Sequence, residues 1–247
     1  MIIDFDIISK VYDSIREADT NIVNLLVNRI KTDGATNILD FGCGTGNYIK
    51  SLRKSSDLFS IYGVDPSKGM RKIAIRKNKG VQIKDGNHIK IPFSNSFFDF
   101  IYMTDVIHLV GDINVLFLEI SRVLKVKGVL AVLTLSYDQI ERKYFAKYFP
   151  SSIIINKKRY PSIEIIKNSA QNCNINVIRI EICNENTKID VNCKLFDSLH
   201  KKGYSILRLI PEDEYKSGLQ QLERDLSSKN HVLNSGKTLI WFQKSSE

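Results

Sequence analysis

Apolar and polar positions along this chain follow two periods, and the switches between them mark its elements. In residues 1–34, Ile22, Val23, Leu26, Val27 and Ile30 recur at helical spacing, with Asp19, Asn24 and Asn28 off that stripe. That pattern predicts a helical opening that packs one face on a core. Asp33-Gly34 ends it. Short strand-like apolar runs follow at 37–41, 59–64, 81–84, 97–103 and 129–135. The run at 97–103 is nearly continuous, as expected of a strand buried on both faces. Between the runs, residues 48–54 can form a helix, and Ser67 is placed to cap another through Met70 and Ala74. Ile113, Leu116, Phe117, Ile120, Val123 and Leu124 form a further helical stripe, which Gly128 is expected to stop. Strands alternating with helices imply parallel pairing through right-handed crossovers.

After Ser136 the pattern changes. Residues 137–161 are rich in Tyr, Phe, Lys and Arg, punctuated by Pro150 and Pro161. A helix is expected at 162–173, a strand at 175–182, more helix within 190–230 and a closing strand at 237–243. The division expected is a helical lid at 1–34, a ligand-binding core at 35–136 and insertions at 137–161 and 190–236 that cover the strand ends. Segments 162–189 and 237–247 complete the core. The lid segments carry Tyr144, Phe145, Tyr148, Phe149, Arg159, Tyr160, His200, Tyr204 and Arg208. These residues can line a pocket that excludes water, or form the lid's own core.

The text that carries chemistry is Asn37-Ile-Leu-Asp-Phe-Gly-Cys-Gly-Thr-Gly46. A strand delivers the chain to the carboxyl edge of the sheet, where open α/β sheets bind ligands. Gly42, Gly44 and Gly46 let the backbone turn and approach a ligand without a Cβ clash. The dinucleotide fingerprint needs Gly or Ala at position 47, where this chain has Asn47, and no Lys-Ser/Thr follows as in a Walker loop.

This segment resembles the first motif of the class I S-adenosylmethionine-dependent methyltransferases. Val64-Asp-Pro-Ser-Lys-Gly-Met70 resembles their second motif, and Gly86 through Ile91-Pro-Phe93 their third. Asp105-Val-Ile-His108, then Glu119-Ile-Ser-Arg-Val-Leu-Lys125 and Gly128, resemble the stretch before the fifth strand. The likeness spans roughly residues 35–135 and is nearest the type-11 subfamily. Val126-Lys-Gly128 replaces the usual Pro-Gly-Gly, and His108 stands where relatives often carry two histidines. The resemblance implies an α/β fold with a doubly wound, mostly parallel, seven-stranded Rossmann-like sheet and helical lid insertions. It also implies S-adenosylmethionine as cofactor and S-adenosylhomocysteine as product.

The resemblance further implies roles. Asp40 would accept from the methionine amine through bridging groups, and Asp65 would accept both ribose hydroxyls. Asn87 would accept from the adenine amine, with the His88 backbone N–H beside the ring. Pro66 and Met70 would flank the adenine, and Thr104 would lie by the methionine moiety. Gly42, Cys43, Gly44 and Gly46 would form the loop. Tyr12, near Arg16, would meet the cofactor carboxylate. Methyl transfer is an in-line displacement that needs alignment first. It needs a base only if the acceptor must lose a proton, and His108 is the candidate.

Composition narrows the partners. Of 247 residues, 43% are hydrophobic and 26% charged, the balance of a globular protein. The formal charge of +9 attracts polyanions. The basic run Lys68, Arg71, Lys72, Arg76, Lys77, Lys79 and Lys84 would serve an RNA methyltransferase. Lys outnumbers Arg 25 to 11 alongside abundant Ile and Asn, which fits an AT-rich genome equally well. No Asn/Asp-Pro-Pro-Tyr/Phe segment or RNA-binding module is present, so a small-molecule acceptor is the first expectation and RNA the second. A non-catalytic cofactor-binding protein is the third. Cys43, Cys173, Cys183 and Cys193 lack metal-site spacing and read as free thiols, so no metal is expected. No apolar stretch suits a membrane span and the N-terminus lacks a signal-peptide pattern, so a cytoplasmic location is expected by default. No oligomer interface is legible in the pattern.

Overall fold

A computed structural model of the chain describes residues 4–55 and 59–246. The first three residues of the expected lid and Glu247 lie outside that range. The first half runs α1 (Phe5–Ile15), α2 (Thr20–Thr32), β1 (Asn37–Phe41), α3 (Asn47–Arg53), β2 (Ser60–Asp65), α4 (Lys68–Lys77), β3 (Gln82–Asp85), β4 (Phe98–Thr104), α5 (Ile113–Val123) and β5 (Leu124–Thr134). The second half adds α6 (Tyr137–Glu141), α7 (Pro150–Arg159), α8 (Ile163–Gln171), β6 (Ile175–Asp190), α9 (Cys193–His200), α10 (Glu212–Leu226) and β7 (His231–Lys244).

The seven strands form one sheet in the order β3-β2-β1-β4-β5-β7-β6. The first five strands pair in parallel, while β7 lies antiparallel to both β5 and β6. The fold is thus the doubly wound, mostly parallel arrangement implied by the resemblance. Alternate strand positions feed two cores. Leu39, Ile101, Met103, Leu130, Val132 and Phe242 pack on one face with α5 and α8. Ile38, Phe100, Tyr102, Ala131, Leu133 and Trp241 pack on the other with α2 and α3. Strand order reverses between β1 and β4, so the crevice at their carboxyl ends is open to a ligand.

The elements depart from the expected pattern in three ways. The opening stripe divides into two helices, because the Asp19 side chain accepts from Asn21 and Ile22 N–H and starts α2 afresh. Gly128 does not stop α5. The helix ends at Val123 and enters β5 directly at Leu124, with Lys127 in the left-handed region at φ +63°. A Cβ on Gly128 would stand 2.7 Å from Leu124 Cδ1, so packing is the reason for that glycine. Finally, β6 and β7 run on past the sheet, pairing from Ile175 with Lys244 to Asp190 with His231.

A third apolar cluster lies apart from the sheet. Phe145, Phe149, Leu199, Leu207, Leu219 and Leu222 join α9, α10 and the segment before α7. Gly218 allows that closeness, since a Cβ there would meet the Tyr148 carbonyl at 2.3 Å. All four cysteines are free. Among the described residues no helix is long and apolar enough to cross a membrane, and no cluster of three metal-ligating side chains occurs.

Candidate active site

The glycine loop is held from behind. Gly42 and Cys43 N–H both donate to the Val64 carbonyl, at 2.8 and 3.0 Å, which ties the end of β1 to β2. The three loop glycines sit at positive φ for different reasons. A Cβ on Gly42 would stand 2.5 Å from Val106 Cγ2, and one on Gly46 would stand 2.4 Å from Asn78 Nδ2. Those two glycines serve packing, and Gly46 lines neither cavity described below. A Cβ on Gly44 would meet nothing within 4 Å, because it would project into open space.

That space comprises two adjoining cavities over the carboxyl ends of β1, β2 and β4. The outer one, about 490 Å³, is lined by Asp65, Pro66, Met70, Asn87 and His88 among others. The inner one, about 330 Å³, is lined by Cys43, His108, Lys143, Tyr160 and Tyr204 among others. Gly42, Gly44, Thr104, Asp105 and Tyr12 border both. Helix α1 covers the loop. The Asp6 carboxylate accepts from Ser67 Oγ and from Gly69 N–H at 2.8 Å. Asp13 accepts from Thr45 Oγ1 at 2.5 Å and pairs with Lys77 Nζ at 2.6 Å.

Asp65 ends β2 with its carboxylate oriented by the backbone. Oδ2 accepts from Gly44 N–H at 2.9 Å and Oδ1 from Ser67 N–H at 2.8 Å. Burial raises its pKa, with these N–H groups opposing. Each oxygen keeps a lone pair for a ligand hydroxyl. Asn87 is placed differently from the accepting role implied for it. Its Oδ1 already accepts from Ile89 N–H at 2.8 Å and Lys90 N–H at 3.2 Å, which occupies both lone pairs. Its Nδ2 is the group left for a ligand.

Asp40 lines neither cavity. It is buried beneath the loop beside Tyr102, and burial first, then the Asp65 charge, pushes its carboxyl up to about 8. The Tyr102 hydroxyl favours the charged form, but without a hydrogen bond of good geometry. The folded chain therefore binds a proton that the unfolded chain releases near pH 4, and stability falls as pH rises from about 4 to about 8. Asp40→Asn is expected to flatten that fall. Its Tm should match wild type near pH 3 and exceed it near pH 8.5, each pKa unit being worth about 1.4 kcal/mol. Parallel pH profiles in thermal melts would show that Asp40 is charged in the fold.

The inner cavity holds groups that the sequence left unmarked. Asp105, at φ +57°, pairs with Lys237 from the last strand. Burial would raise its carboxyl, but Lys237 and then Arg16 hold it at about 2. Its side chain is part-exposed only because it faces the cavity. His108 stacks on Tyr160, centroids 4.1 Å apart at 11°, and its Nδ1 is buried without a partner. Burial, then the Arg159 charge, drops its pKa to about 3, so the ring is neutral. Of the lid aromatics, Tyr144, Phe145, Tyr160 and Tyr204 reach this cavity. Tyr148 and Phe149 belong to the lid's own core, and His200 is on the surface against Glu223. The basic run on α4 and β3 is partly consumed locally, with Arg71 on Asp85 and Lys77 on Asp13.

Comparison with known proteins gives a likeness for part of the chain. The profile of a methyltransferase domain of type 11 matches residues 39–132, the stretch that builds the loop and the sheet's carboxyl edge. Residues 39–132 are thus similar to the class I methyltransferases of type 11. An uncharacterized methyltransferase of Anoxybacillus flavithermus is 34% identical over 87 residues, covering 35% of this chain and 40% of that protein. A malonyl-[acyl-carrier protein] O-methyltransferase of Legionella pneumophila is 35% identical over 105 residues, covering 41% and 37%. The chain thus spans about two fifths of the length of these curated relatives. In fold, it is similar to an Anabaena variabilis protein assigned as a methyltransferase of an antibiotic biosynthesis pathway. That similarity has a TM-score of 0.74 at 21% identity and covers 92% of this chain and 98% of the other. The matched segment supplies most of the outer cavity's lining, with Phe5, Tyr12, Arg159 and Leu209 from outside it, while Lys143, Tyr160, Tyr204 and Lys237 of the inner one lie beyond it.

Proposed function

We propose that the protein transfers a methyl group from S-adenosylmethionine, held in the outer cavity, to a small molecule in the inner one. The observation that carries this reading is the junction of the cavities at Gly42, Gly44, Thr104 and Asp105. When bound, the cofactor supplies an electrophilic methyl on a sulfonium.

The residues present fit such a group. Asp65 offers one free lone pair per oxygen to the ribose diol, the logic of dinucleotide sites. Pro66 and Met70 flank the space for the adenine, with Asn87 Nδ2 and the His88 backbone at its edge. Gly44 leaves room for close approach of the methionine portion, with Cys43 and Thr104 beside it. Tyr12 on α1 and Arg16 just after it would receive its carboxylate. Asp40 acts from beneath as a proton-bearing support of the loop. Helix α1 and the lid keep water away, which strengthens each polar contact inside.

His108 is a packing group in this reading, because an imidazole held at about 3 is a weak base. An acceptor that attacks without losing a proton, or loses it easily, suits the site. Enclosure also favours a small acceptor over RNA, and the pairing of Arg71 and Lys77 depletes the basic run that RNA would use. The test is methyl incorporation from labelled S-adenosylmethionine into pooled small molecules and, in parallel, bulk RNA. Labelling of small molecules is expected. Labelling of RNA alone would transfer the reading to nucleic acid, and labelling of neither with tight cofactor binding would favour a non-catalytic role.

A further inference from the structure

The inner cavity holds more positive charge than its own carboxylates answer. Arg16, Lys143, Arg208 and Lys237 all reach its wall. Among the described residues only Lys237 of these has a carboxylate within ion-pair distance, that of Asp105. Of the other acidic groups at the wall, Asp19 caps α2 and accepts from Asn184, and Glu17 is exposed toward Lys194. Arg16 and Lys143 converge instead on one ring. Arg16 Cζ lies 4.5 Å from the Tyr204 centroid and Lys143 Nζ lies 5.7 Å from it. Lys143 Nζ is also 5.5 Å from the Phe145 centroid.

Aromatic faces offset only part of the cost of taking a cation out of water. Burial, then the Lys237 charge, pulls Lys143 down to about 7, the mark of an ammonium short of negative partners. Arg208 has its Nε buried without a partner. The cofactor does not remove the imbalance. Its carboxylate answers Arg16, but its amine and sulfonium bring further positive charge. One part of the wall is flat and aromatic, formed by the stacked His108–Tyr160 pair and by Tyr144, Phe145 and Tyr204, while Asn47, Ser205, Asn234 and Ser235 give the wall a polar part. The volume of about 330 Å³ is at the small end for ligand sites.

We propose, resting on the cofactor reading above, that the acceptor carries an anionic group, carboxylate or phosphate, on a small flat apolar body, and that Lys143 selects it. Lys143 is a specificity-determining residue that touches the anion, and Arg208 supports it from the lid side of the same cavity.

The test is calorimetric and needs no turnover. The full-length protein is first titrated with S-adenosylhomocysteine, then, saturated with it, with benzoate, phenyl phosphate and neutral benzamide. At least one of the two anions is expected to bind about tenfold or more tightly than benzamide, and which one does so tells carboxylate from phosphate. Lys143→Met should erase most of that preference and Lys143→Arg should keep it, the loss matching a charge-assisted contact. Both variants should bind S-adenosylhomocysteine within about twofold of wild type, which also reports that they fold. Benzamide binding as tightly as both anions, no binding of either anion, or an unchanged preference in Lys143→Met would overturn the inference while leaving the cofactor reading standing. No binding of S-adenosylhomocysteine would overturn the cofactor reading itself, and this inference with it.

Discussion

Gly44→Leu is expected to abolish S-adenosylmethionine binding while leaving the fold in place. The three loop glycines make this test selective. Substituting Gly42 or Gly46 drives a Cβ to 2.5 Å from Val106 or 2.4 Å from Asn78, so a loss of binding there would be confounded by a loss of packing. A side chain on Gly44 meets no protein atom within 4 Å at its Cβ and grows into the shared mouth of the cavities. The cost to the fold is the left-handed backbone at φ +53°, about 1–2 kcal/mol for a residue with a Cβ. Against a total stability on the order of 5–15 kcal/mol, the chain remains folded. Calorimetry should show the dissociation constant rising about a hundredfold or more, with a cooperative melt retained. Near-normal binding in the folded variant would move the cofactor away from this loop.

Asp65→Ala is expected to weaken the cofactor by about 1.5–3 kcal/mol, the worth of hydrogen bonds to a charged group, or roughly 10–150-fold. The carboxylate does two things at once. In the proposed complex it would offer the ribose its free lone pairs, and it accepts from Gly44 and Ser67 N–H, which fixes the loop. Part of the loss will therefore come through the loop, and thermal melts of the ligand-free variant separate that part. An unchanged dissociation constant in a folded Asp65→Ala protein would refute the ribose placement.

Much of this arrangement is legible in the sequence, for a physical reason. Parallel strands buried on both faces must be apolar, so β1, β2, β4 and β5 announce themselves as short runs. A backbone that turns at positive φ between strand and helix needs glycine, so the loop is visible at 42–46. The capping of α4 by Ser67 was equally readable, because an N-cap is a local interaction. Other features are set by distant parts of the chain. The extension of β6 to Asp190 depends on pairing with β7, more than forty residues later, and its alternation is broken by polar residues on an exposed face. The direct passage from α5 into β5 has no turn residue to mark it. Asn87 matched its motif, but only the fold shows its oxygen already spent on Ile89 and Lys90. The pairing of Asp105 with Lys237 joins residues 132 apart, and Lys143 lies in a segment whose composition allowed either a pocket wall or a core. The inner cavity is thus assembled by tertiary structure, whereas the outer one is largely written in a continuous stretch.

The measurement that bears most directly on the central claim is calorimetric titration of the purified protein with S-adenosylmethionine, S-adenosylhomocysteine and NAD. Both Asp65 and the glycine loop would suit a dinucleotide in outline, so the comparison is discriminating. Saturable binding of the first two at one site per chain, with none of NAD, is the predicted result. Binding of NAD alone, or of none of the three, would contradict it.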